Sequence, residues 1–282
     1  AYAVATDPSG NVYGAGWTQS SSALTMTLGS ITLPGVAAVG SGIRPMWVKY
    51  DNAGTPLWAD GVMAGNTNLN NITTDPAGNL IVYGAFSSAT MQIGSITLTN
   101  TYTDGSAQFF LAKISPSGTV LWAIKDGNTV PTYMMVLGIW ILTPGGVATD
   151  ASGNIYITSG FKKPTMTIGS TTLTNSTSTG ATFDIYVAKY DPAGTAVWAS
   201  SIGGAGNDYG YGITVASTGQ VYVTGVFNSF TMPVGASIVS NPYAVTTGID
   251  TPITYIAKFD GTTGAPLWGE SAGGDRGAFG VG

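Results

Sequence analysis

The sequence contains neither histidine nor cysteine. Their absence removes Ser-His-Asp and Cys-His nucleophilic systems, thiolate chemistry, and the ordinary protein ligands of zinc, copper and haem. Arginine is scarce too: only Arg44 and Arg276 occur, so the arginine cluster of a sialidase-like site is missing. These absences argue against most forms of catalysis and predict a protein that is not an enzyme and carries no cofactor or metal.

Charge is also scarce. Charged residues make up 8% of the 282 residues, the net charge is -5, and Glu270 is the single glutamate among 14 acids. Nine scattered basic residues form no phosphate-binding stripe, so a nucleic-acid partner is not expected. No apolar run reaches the roughly 18 residues of a membrane helix, so no membrane span is expected either. The dominance of aspartate and the 41 glycines indicate many turns and therefore an all-β chain.

The sequence is built from internal repeats. Three sequence blocks recur four times in the same order. The first block covers Val4–Trp17, Ile72–Phe86, Val147–Phe161 and Ile213–Phe227. The second block starts with Thr-Met, any residue, a hydrophobic residue and Gly. It covers Thr25–Leu33, Thr90–Asn100, Thr165–Asn175 and Thr231–Asn241. The third covers Trp47–Ala59, Leu111–Ala123, Val187–Ala199 and Ile256–Gly269.

Each repeat predicts four strands, called A to D. The first block is a hairpin of strands A and B around Asp-Pro-Ser-Gly-Asn, the residue order of a type I turn that ends in a left-handed residue. The third block is a second hairpin, of strands C and D. The middle block predicts a small accessory hairpin whose turn holds Gly29, Gly94, Gly169 or Gly235.

Four-stranded antiparallel units of this kind predict an all-β fold, a β-propeller made of four-stranded antiparallel blades. The predicted division is blade 1 at 1–68, blade 2 at 69–143 with an apolar insert at 133–142, blade 3 at 144–209, blade 4 at 210–277, and the start of a further blade at 278–282. We expect the four repeats to belong to a larger propeller or repeat array, although a closed four-blade ring with a tail fits the same pattern.

The repeats resemble a known family. Segments 153–161, 165–175, 184–199 and 203–215 are similar to the SBBP-type β-propeller repeats of secreted and cell-surface bacterial proteins, especially those of Bacteroidetes and Chlorobi. The likeness covers the whole chain and departs from the pattern where Ser115 and Ala216 replace a turn aspartate. It implies an extracellular or bacterial cell-surface location and a propeller fold, and it says little about function.

Recurring side chains have structural interpretations. Six aspartates occupy the repeated turns, where capping of the turn is more plausible than Ca²⁺ binding: Asp7, Asp51, Asp75, Asp150, Asp191 and Asp260. The repeated lysines of strand C are expected on the solvent face or paired with a turn aspartate, rather than as a cationic ring: Lys49, Lys113, Lys189 and Lys258. The repeated tryptophans of strand D are expected between blades: Trp58, Trp122, Trp198 and Trp268.

One segment has no counterpart in the other repeats. Residues 133–142 are almost uninterruptedly apolar and lie between blades 2 and 3. They predict either an extra buried strand or a docking patch for a partner. The candidate partner-binding residues are Tyr133, Met134, Met135, Leu137, Ile139, Trp140 and Leu142.

The connections between strands differ from one side of each repeat to the other. The A–B and C–D turns are short and alike, whereas the B–C and D–A connections are long and different in every repeat. Because repeat proteins place variation on the binding face, we expect a non-enzymatic surface scaffold or adhesion module that binds protein or glycan through the long loops. Two alternatives are a self-assembling subunit of a surface filament or coat, and a polysaccharide-degrading enzyme with a carboxylate pair.

Overall fold

The computed structural model describes residues 3–19, 26–29, 31–33, 43–64, 67–127, 133–136, 139–142, 145–244 and 252–273. All regular structure in these ranges is β-strand. Repeat 1 contains β1 (Ala3–Thr6), β2 (Val12–Gln19), β3 (Met26–Leu28), β4 (Ile31–Leu33), β5 (Ile43–Tyr50) and β6 (Pro56–Ala64). Repeat 2 contains β7 (Thr67–Thr74), β8 (Leu80–Phe86), β9 (Thr90–Ile93), β10 (Ile96–Thr99), β11 (Gln108–Ile114) and β12 (Val120–Asp126).

The second half follows the same order after one extra hairpin. That hairpin is β13 (Tyr133–Val136) with β14 (Ile139–Leu142). Repeat 3 contains β15 (Gly146–Thr149), β16 (Ile155–Phe161), β17 (Thr165–Ile168), β18 (Thr171–Thr174), β19 (Asp184–Tyr190) and β20 (Ala196–Ile202). Repeat 4 contains β21 (Asp208–Val215), β22 (Val221–Phe227), β23 (Thr231–Val234), β24 (Ser237–Ser240), β25 (Ile253–Phe259) and β26 (Pro266–Ala272).

The predicted strand order A-B-C-D is confirmed in all four repeats. The antiparallel orders are β1-β2-β5-β6, β7-β8-β11-β12, β15-β16-β19-β20 and β21-β22-β25-β26. The sheet of repeat 1 has six strands, because β9 of repeat 2 pairs with the edge of β6 through Val62↔Ile93 and Ala64↔Gln92. β7 and β21 begin two residues before 69 and 210, where the sequence places the starts of repeats 2 and 4.

The accessory hairpins form where the sequence predicts them. β3 pairs with β4, β9 with β10, β17 with β18, and β23 with β24. Their turn glycines have positive φ, between 54° and 59°. Each turn also lies against the first residues of strand D in its own repeat. At Gly94, for example, an added β-carbon would lie only 2.8 Å from Cγ2 of Val120. Glycine is therefore required here for both conformation and space.

The chain divides into two compact units, Ala1–Lys125 with repeats 1 and 2, and Asp126–Gly282 with repeats 3 and 4. In the first unit, the core is built from strand side chains such as Tyr13, Trp47, Phe86 and Phe110. In the second, the core is built from side chains such as Tyr156, Val187, Phe227 and Phe259. All eight are nearly fully buried, and β8, β11 and β16 are buried along their whole length.

Candidate functional site

The A–B and C–D turns form what we call the turn edge, and their aspartates have structural partners. In the first turn, Asp7 Oδ1 accepts hydrogen bonds from the backbone N–H groups of Ser9 and Asn11, at 3.0 and 2.9 Å. The same pattern recurs at Asp51, Asp75, Asp150 and Asp191. In the turn of Asp260, which is one residue longer, Asp260 Oδ1 accepts from Thr262 and Thr263 N–H. The predicted capping role of these aspartates is confirmed, and where Ala216 stands instead, the backbone bond from Gly219 N to Ala216 O still closes the turn at 2.8 Å.

Two of the repeated lysines make buried ion pairs with these aspartates. Lys49 Nζ lies 3.2 Å from Asp7 Oδ2, and Lys113 Nζ lies 2.8 Å from Asp75 Oδ2. The expected pairing with a turn aspartate is confirmed for these two lysines. The solvent-face alternative is wrong for them, because Lys49 and Lys113 are buried. Burial alone would raise the pKa of Asp75, but hydrogen bonds from Lys113 and Asn79 outweigh it and lower that pKa.

Tryptophan and lysine side chains also connect neighbouring repeats. Trp58 Nε1 and Lys49 Nζ both donate to the carbonyl oxygen of Pro116, in the C–D turn of repeat 2, at 2.9 and 3.2 Å. In the second unit, Trp198 Nε1 and Lys189 Nζ donate to the carbonyl oxygen of Gly261, at 3.2 and 3.1 Å. The predicted packing of the strand D tryptophan between repeats is confirmed at Trp58 and Trp198.

Sequence reasoning missed a tyrosine that completes this contact. The same position in strand B is held by Tyr13, Tyr156 and Tyr222. Each tyrosine ring packs edge to face against the strand D tryptophan of its own repeat. The repeated lysine lies over each ring, 5.0, 5.2 and 5.8 Å from the centroid. The signal was available, because each tyrosine stands two residues after the last polar residue of its A–B turn. The turn edge is thus occupied by contacts that hold the fold.

The opposite side of the repeats, with the B–C and D–A connections, is the loop edge. Asn175 ends the accessory hairpin of repeat 3 and fastens the B–C loop: its Nδ2 donates to the carbonyls of Phe161 and Thr182, and its Oδ1 accepts from Thr177 N–H at 2.9 Å. Asn100 and Asn241 do the same in repeats 2 and 4. The asparagine recurs in the sequence, yet its function as a loop anchor was not recognised there.

Two buried carboxyls lie beside the loop edge of repeats 3 and 4, which we call the carboxyl pair: Asp184 and Asp208. Asp184 begins strand C of repeat 3 and is 2% exposed. Its Oδ2 accepts a hydrogen bond from Ser176 N–H at 2.6 Å, and its Oδ1 lies 2.8 Å from Ser176 Oγ. The same hydroxyl also contacts the carbonyl oxygen of Gly204. A β-carbon on Gly203 would overlap the Asp184 carboxyl, so only glycine fits there.

Asp208 begins strand A of repeat 4 and is fully buried. Its Oδ1 accepts from the N–H groups of Asn228 and Ser229, at 3.1 and 3.2 Å. Its Oδ2 accepts from Gly204 N–H at 2.8 Å and from Ser229 Oγ at 2.7 Å. Both carboxyls therefore hold the Gly203–Asn207 connection between the two repeats.

Burial sets the electrostatics of the carboxyl pair. Burial raises the pKa of Asp208 to about 7, although hydrogen bonds from Ser229 and Gly204 act to lower it. The negative charge of the neighbouring Asp184 also acts to raise this pKa. Burial likewise raises the pKa of Asp184, partly offset by its hydrogen bonds from Ser176. Among the described residues, the ion pairs of the protein lie elsewhere, at Lys49 and Lys113. The pair thus has no recorded cationic partner that would favour its full ionisation.

The other acids outside the turns are not brought into this site. Asp60 accepts from Gly61 N–H, Asp104 from Ser106 N–H, and Asp126 from Gly127 and Gly169 N–H. Glu270 is exposed on β26. Asp250 and Asp275 lie outside the described residues. Sequence alone left the acids outside the turns open as a polysaccharide-degrading pair. Of these acids, Asp184 and Asp208 are brought together by their contacts, and both accept their hydrogen bonds from the chain's own loops.

An aromatic cluster extends this site. The rings of Phe183 and Tyr209 lie 5.2 Å apart, and Lys162 Nζ lies 5.5 Å from the centroid of Phe183. Val226 and Tyr211 pack against the same cluster. Lys162 is exposed, whereas Phe183 and Tyr211 are half-buried, so a cation and two aromatic side chains are partly accessible beside the carboxyl pair.

The apolar insert forms a hairpin of its own. β13 pairs with β14 from Tyr133↔Leu142 to Val136↔Ile139, including Met134↔Ile141 and Met135↔Trp140. It is a separate two-stranded sheet, not an extra strand of a four-stranded one. Leu137 lies outside the described residues, as does the predicted start of a further blade at 278–282.

The chain is similar to a distant relative among known proteins. No family model matches the chain. An uncharacterized WD repeat-containing protein of Acanthamoeba polyphaga mimivirus is 29% identical over 209 residues, which cover 67% of this chain and 14% of the relative. The chain therefore spans about one seventh of that protein's length. This similarity and the all-β repeats fit a repeat protein of the β-propeller type.

In the described ranges, no group of three or more acidic side chains is placed to hold a metal ion. The same ranges contain no helix of the length and apolar character required to cross a membrane.

Proposed function

We propose that the chain is a non-enzymatic scaffold that binds a protein partner through its loop edge. The observation that carries this proposal is the difference between the two edges. On the turn edge, the recurring aspartate, lysine, tyrosine and tryptophan side chains are used in contacts within and between repeats. On the loop edge, each connection differs in sequence and length.

The B–C loops of repeats 2 and 3 are also held in place by hydrogen bonds to strand C. In repeat 2, Gln108 Oε1 accepts hydrogen bonds from Thr101 N–H and Oγ at 2.8 and 3.2 Å, and in repeat 3 Asp184 takes the same position toward Ser176. Different residues thus hold loops of different sequence in a fixed shape. A loop that is ordered before binding loses less conformational entropy on association, which favours a specific interface.

An extracellular bacterial surface is the location we propose for this scaffold. A chain with 8% charged residues must rely on threonine, serine, asparagine and glycine for solubility. The resemblance to SBBP-type repeats supports the same location. Protease shaving of intact cells that express the protein tests it: peptides of this chain should be released before lysis, and their appearance only after lysis would contradict export.

The binding face is tested with a matched pair of positions. Thr179 is exposed on the loop edge, and Ala193 is exposed in a C–D turn of the same repeat. A photo-cross-linking residue at Thr179 should form adducts on the surface of the source cells, whereas the same residue at Ala193 should not. Thr179→Arg should weaken binding of the labelled protein to those cells, and Ala193→Arg should leave it unchanged. Equal loss at both positions would refute the loop-edge proposal, and adducts with glycan instead of protein would change the partner class.

A second function is favoured by the separate hairpin of the insert. β13 and β14 pair with each other and with no other described strand. Unpaired strand edges are templates for pairing with another chain, so we infer a capacity for assembly into a filament or coat. Ile139→Asp should then abolish association measured by light scattering, without lowering the melting temperature of the monomer. A lowered monomer melting temperature with unchanged association would show that the hairpin packs within its own chain.

A further inference from the structure

The Ser176 hydroxyl presents a proton-counting problem. Its Oγ lies 2.8 Å from Asp184 Oδ1 and also contacts the carbonyl oxygen of Gly204. A serine hydroxyl has one hydrogen to donate, whereas an ionised carboxylate and a backbone carbonyl can only accept. If Asp184 were ionised, one of the two contacts would join two oxygen atoms with no hydrogen between them.

A proton on Asp184 resolves the conflict. Asp184 Oδ1–H then donates to Ser176 Oγ, and Ser176 Oγ–H donates to the carbonyl oxygen of Gly204. The other carboxyl oxygen, Oδ2, still accepts from Ser176 N–H at 2.6 Å. Each of these polar groups has a partner of the correct kind only when Asp184 is a neutral acid.

Asp208 has the opposite surroundings. Its two oxygens face four donors: the N–H groups of Gly204, Asn228 and Ser229, and the Ser229 hydroxyl. Since Ser229 Oγ accepts from Gly206 N–H at 2.8 Å, its own hydrogen is free to point at Asp208. Four donors and no acceptor suit a carboxylate anion. The carboxyl pair therefore contains one acid and one carboxylate, as two buried carboxyls in one site favour.

We propose that the proton on Asp184 is a latch, which fastens the B–C loop of repeat 3 to the Gly203–Asn207 connection while it is present and releases them when it is lost. Loss of the proton leaves Asp184 Oδ1 and Gly204 O competing for one hydroxyl hydrogen, and it adds a second negative charge beside Asp208. Ser176 is itself exposed, so the proton can exchange with solvent. The B–C loop of repeat 3 and the Gly203–Asn207 connection are thus fastened together at acidic pH and loosened as the pH rises.

Other titratable groups around the pair do not supply this switch. Tyr255 faces Asp208, and burial raises its pKa well above the usual value, so it stays neutral. Lys162 lies over the ring of Phe183, and no ion pair joins Lys162 to either carboxyl in the described part of the chain. Burial raises the pKa of both carboxyls, that of Asp208 to about 7, so the pair keeps a proton at a higher pH than an exposed aspartate does.

The first test observes the proton directly in the unaltered protein. The ¹³C resonance of the Asp184 carboxyl carbon reports its ionisation, and we expect it to be that of a neutral acid at about pH 5 and to move to that of a carboxylate as the pH approaches 8. A resonance of Asp184 that is already that of a carboxylate at about pH 5 would overturn the proposal.

The second test measures the latch. Amide hydrogen exchange at 176–180 and 203–207, normalised to unstructured-peptide rates at each pH, should show protection falling about tenfold or more from pH 5 to pH 8, because one pKa unit of coupling is a tenfold change. Asp184→Asn places an N–H donor where the acid O–H was, so its protection should be independent of pH. Ser176→Ala should show low protection at every pH.

Asp191→Asn is the matched control, since it makes the same change at an exposed turn aspartate of repeat 3. It should behave as the unaltered protein does at the loop edge. The latch is refuted if protection is flat with pH in the unaltered protein, if Asp184→Asn keeps the same pH dependence, or if Ser176→Ala retains full protection.

Discussion

Lys113 and Lys258 show how one repeated residue acquires different energetic roles. Both stand in strand C at the same position of their repeats. Lys113 is buried and forms an ion pair with Asp75, whereas the corresponding turn position of repeat 4 is Ala216, and no ion pair of Lys258 is recorded in the described structure. Lys258 contacts the ring of Tyr222 instead. A buried charge whose partner is removed is costly, so the two positions should respond differently to loss of the ammonium group.

Lys113→Met should lower the free energy of unfolding by about 3 kcal/mol, because Asp75 would remain buried with its positive partner removed. Lys258→Met should change it by less than about 1 kcal/mol, since no carboxylate is left behind. Urea unfolding followed by circular dichroism measures both. Equal losses in the two variants would show that the lysine stem, not the ion pair, provides the stability.

The sequence could predict these residues in part. Periodicity alone identified the recurring lysines and tryptophans, the turn aspartates and the accessory hairpins. It could not show that Lys49 and Trp58 converge on the carbonyl oxygen of Pro116, because a backbone acceptor leaves no side-chain signal. The carboxyl pair was hidden for another reason: Asp184 and Asp208 begin strands at positions where the other repeats carry different residues, so neither is periodic. One hint of the carboxyl pair was available. Asp184 and Gln108 hold the same position in strand C, and both accept hydrogen bonds from the B–C loop of their own repeat.

Among the elements, the accessory hairpins depend most directly on single glycines. Gly94 has φ of 54°, and a β-carbon there would lie 2.8 Å from Val120 Cγ2 at the start of strand D. Gly105, in the B–C loop of the same repeat, has φ of 81° but nothing within 4 Å of such a β-carbon. The two glycines therefore separate the cost of backbone conformation from the cost of crowding against strand D.

Gly105→Ala should destabilise the protein by about 1 kcal/mol, from backbone strain at positive φ alone. Gly94→Ala should cost about 2 to 3 kcal/mol, because steric overlap with Val120 is added to that strain. Thermal unfolding of the two variants beside the unaltered protein provides the comparison. Adding Val120→Ala to Gly94→Ala should recover part of the difference, and failure to do so would contradict the crowding explanation.

At the scale of the whole molecule, two groups of carboxyls have opposite effects on stability against pH. Hydrogen bonds lower the pKa of Asp7, Asp75 and Asp150 in spite of burial, so the stability that they provide is lost as the pH falls below about 3.8. Burial raises the pKa of Asp184 and Asp208, so folding favours their protonated state. Their contribution is fully present below pH 3.8 and is lost as the pH rises toward 7.

The melting temperature should therefore be highest near pH 4 to 5 and should fall as the pH rises to about 7, with a loss of ~3 kcal/mol from the carboxyl pair. Asp184→Asn should flatten this fall, because it removes one of the two carboxyls whose pKa folding raises. Asp104→Asn, at an exposed acid in repeat 2, should reproduce the pH profile of the unaltered protein. Melting temperatures that rise steadily between about pH 4 and 7 would contradict the predicted sign.

The contact between neighbouring repeats has a direction along the chain. Trp58 of repeat 1 donates to Pro116, 58 residues later, and Trp198 of repeat 3 donates to Gly261, 63 residues later. During synthesis, the first repeat of each pair leaves the ribosome with its indole N–H and its lysine still lacking their acceptor. That acceptor arrives only with the C–D turn of the second repeat. These hydrogen bonds of repeats 1 and 3 are therefore completed by repeats 2 and 4, so a single repeat cannot complete its contacts while it is alone outside the ribosome.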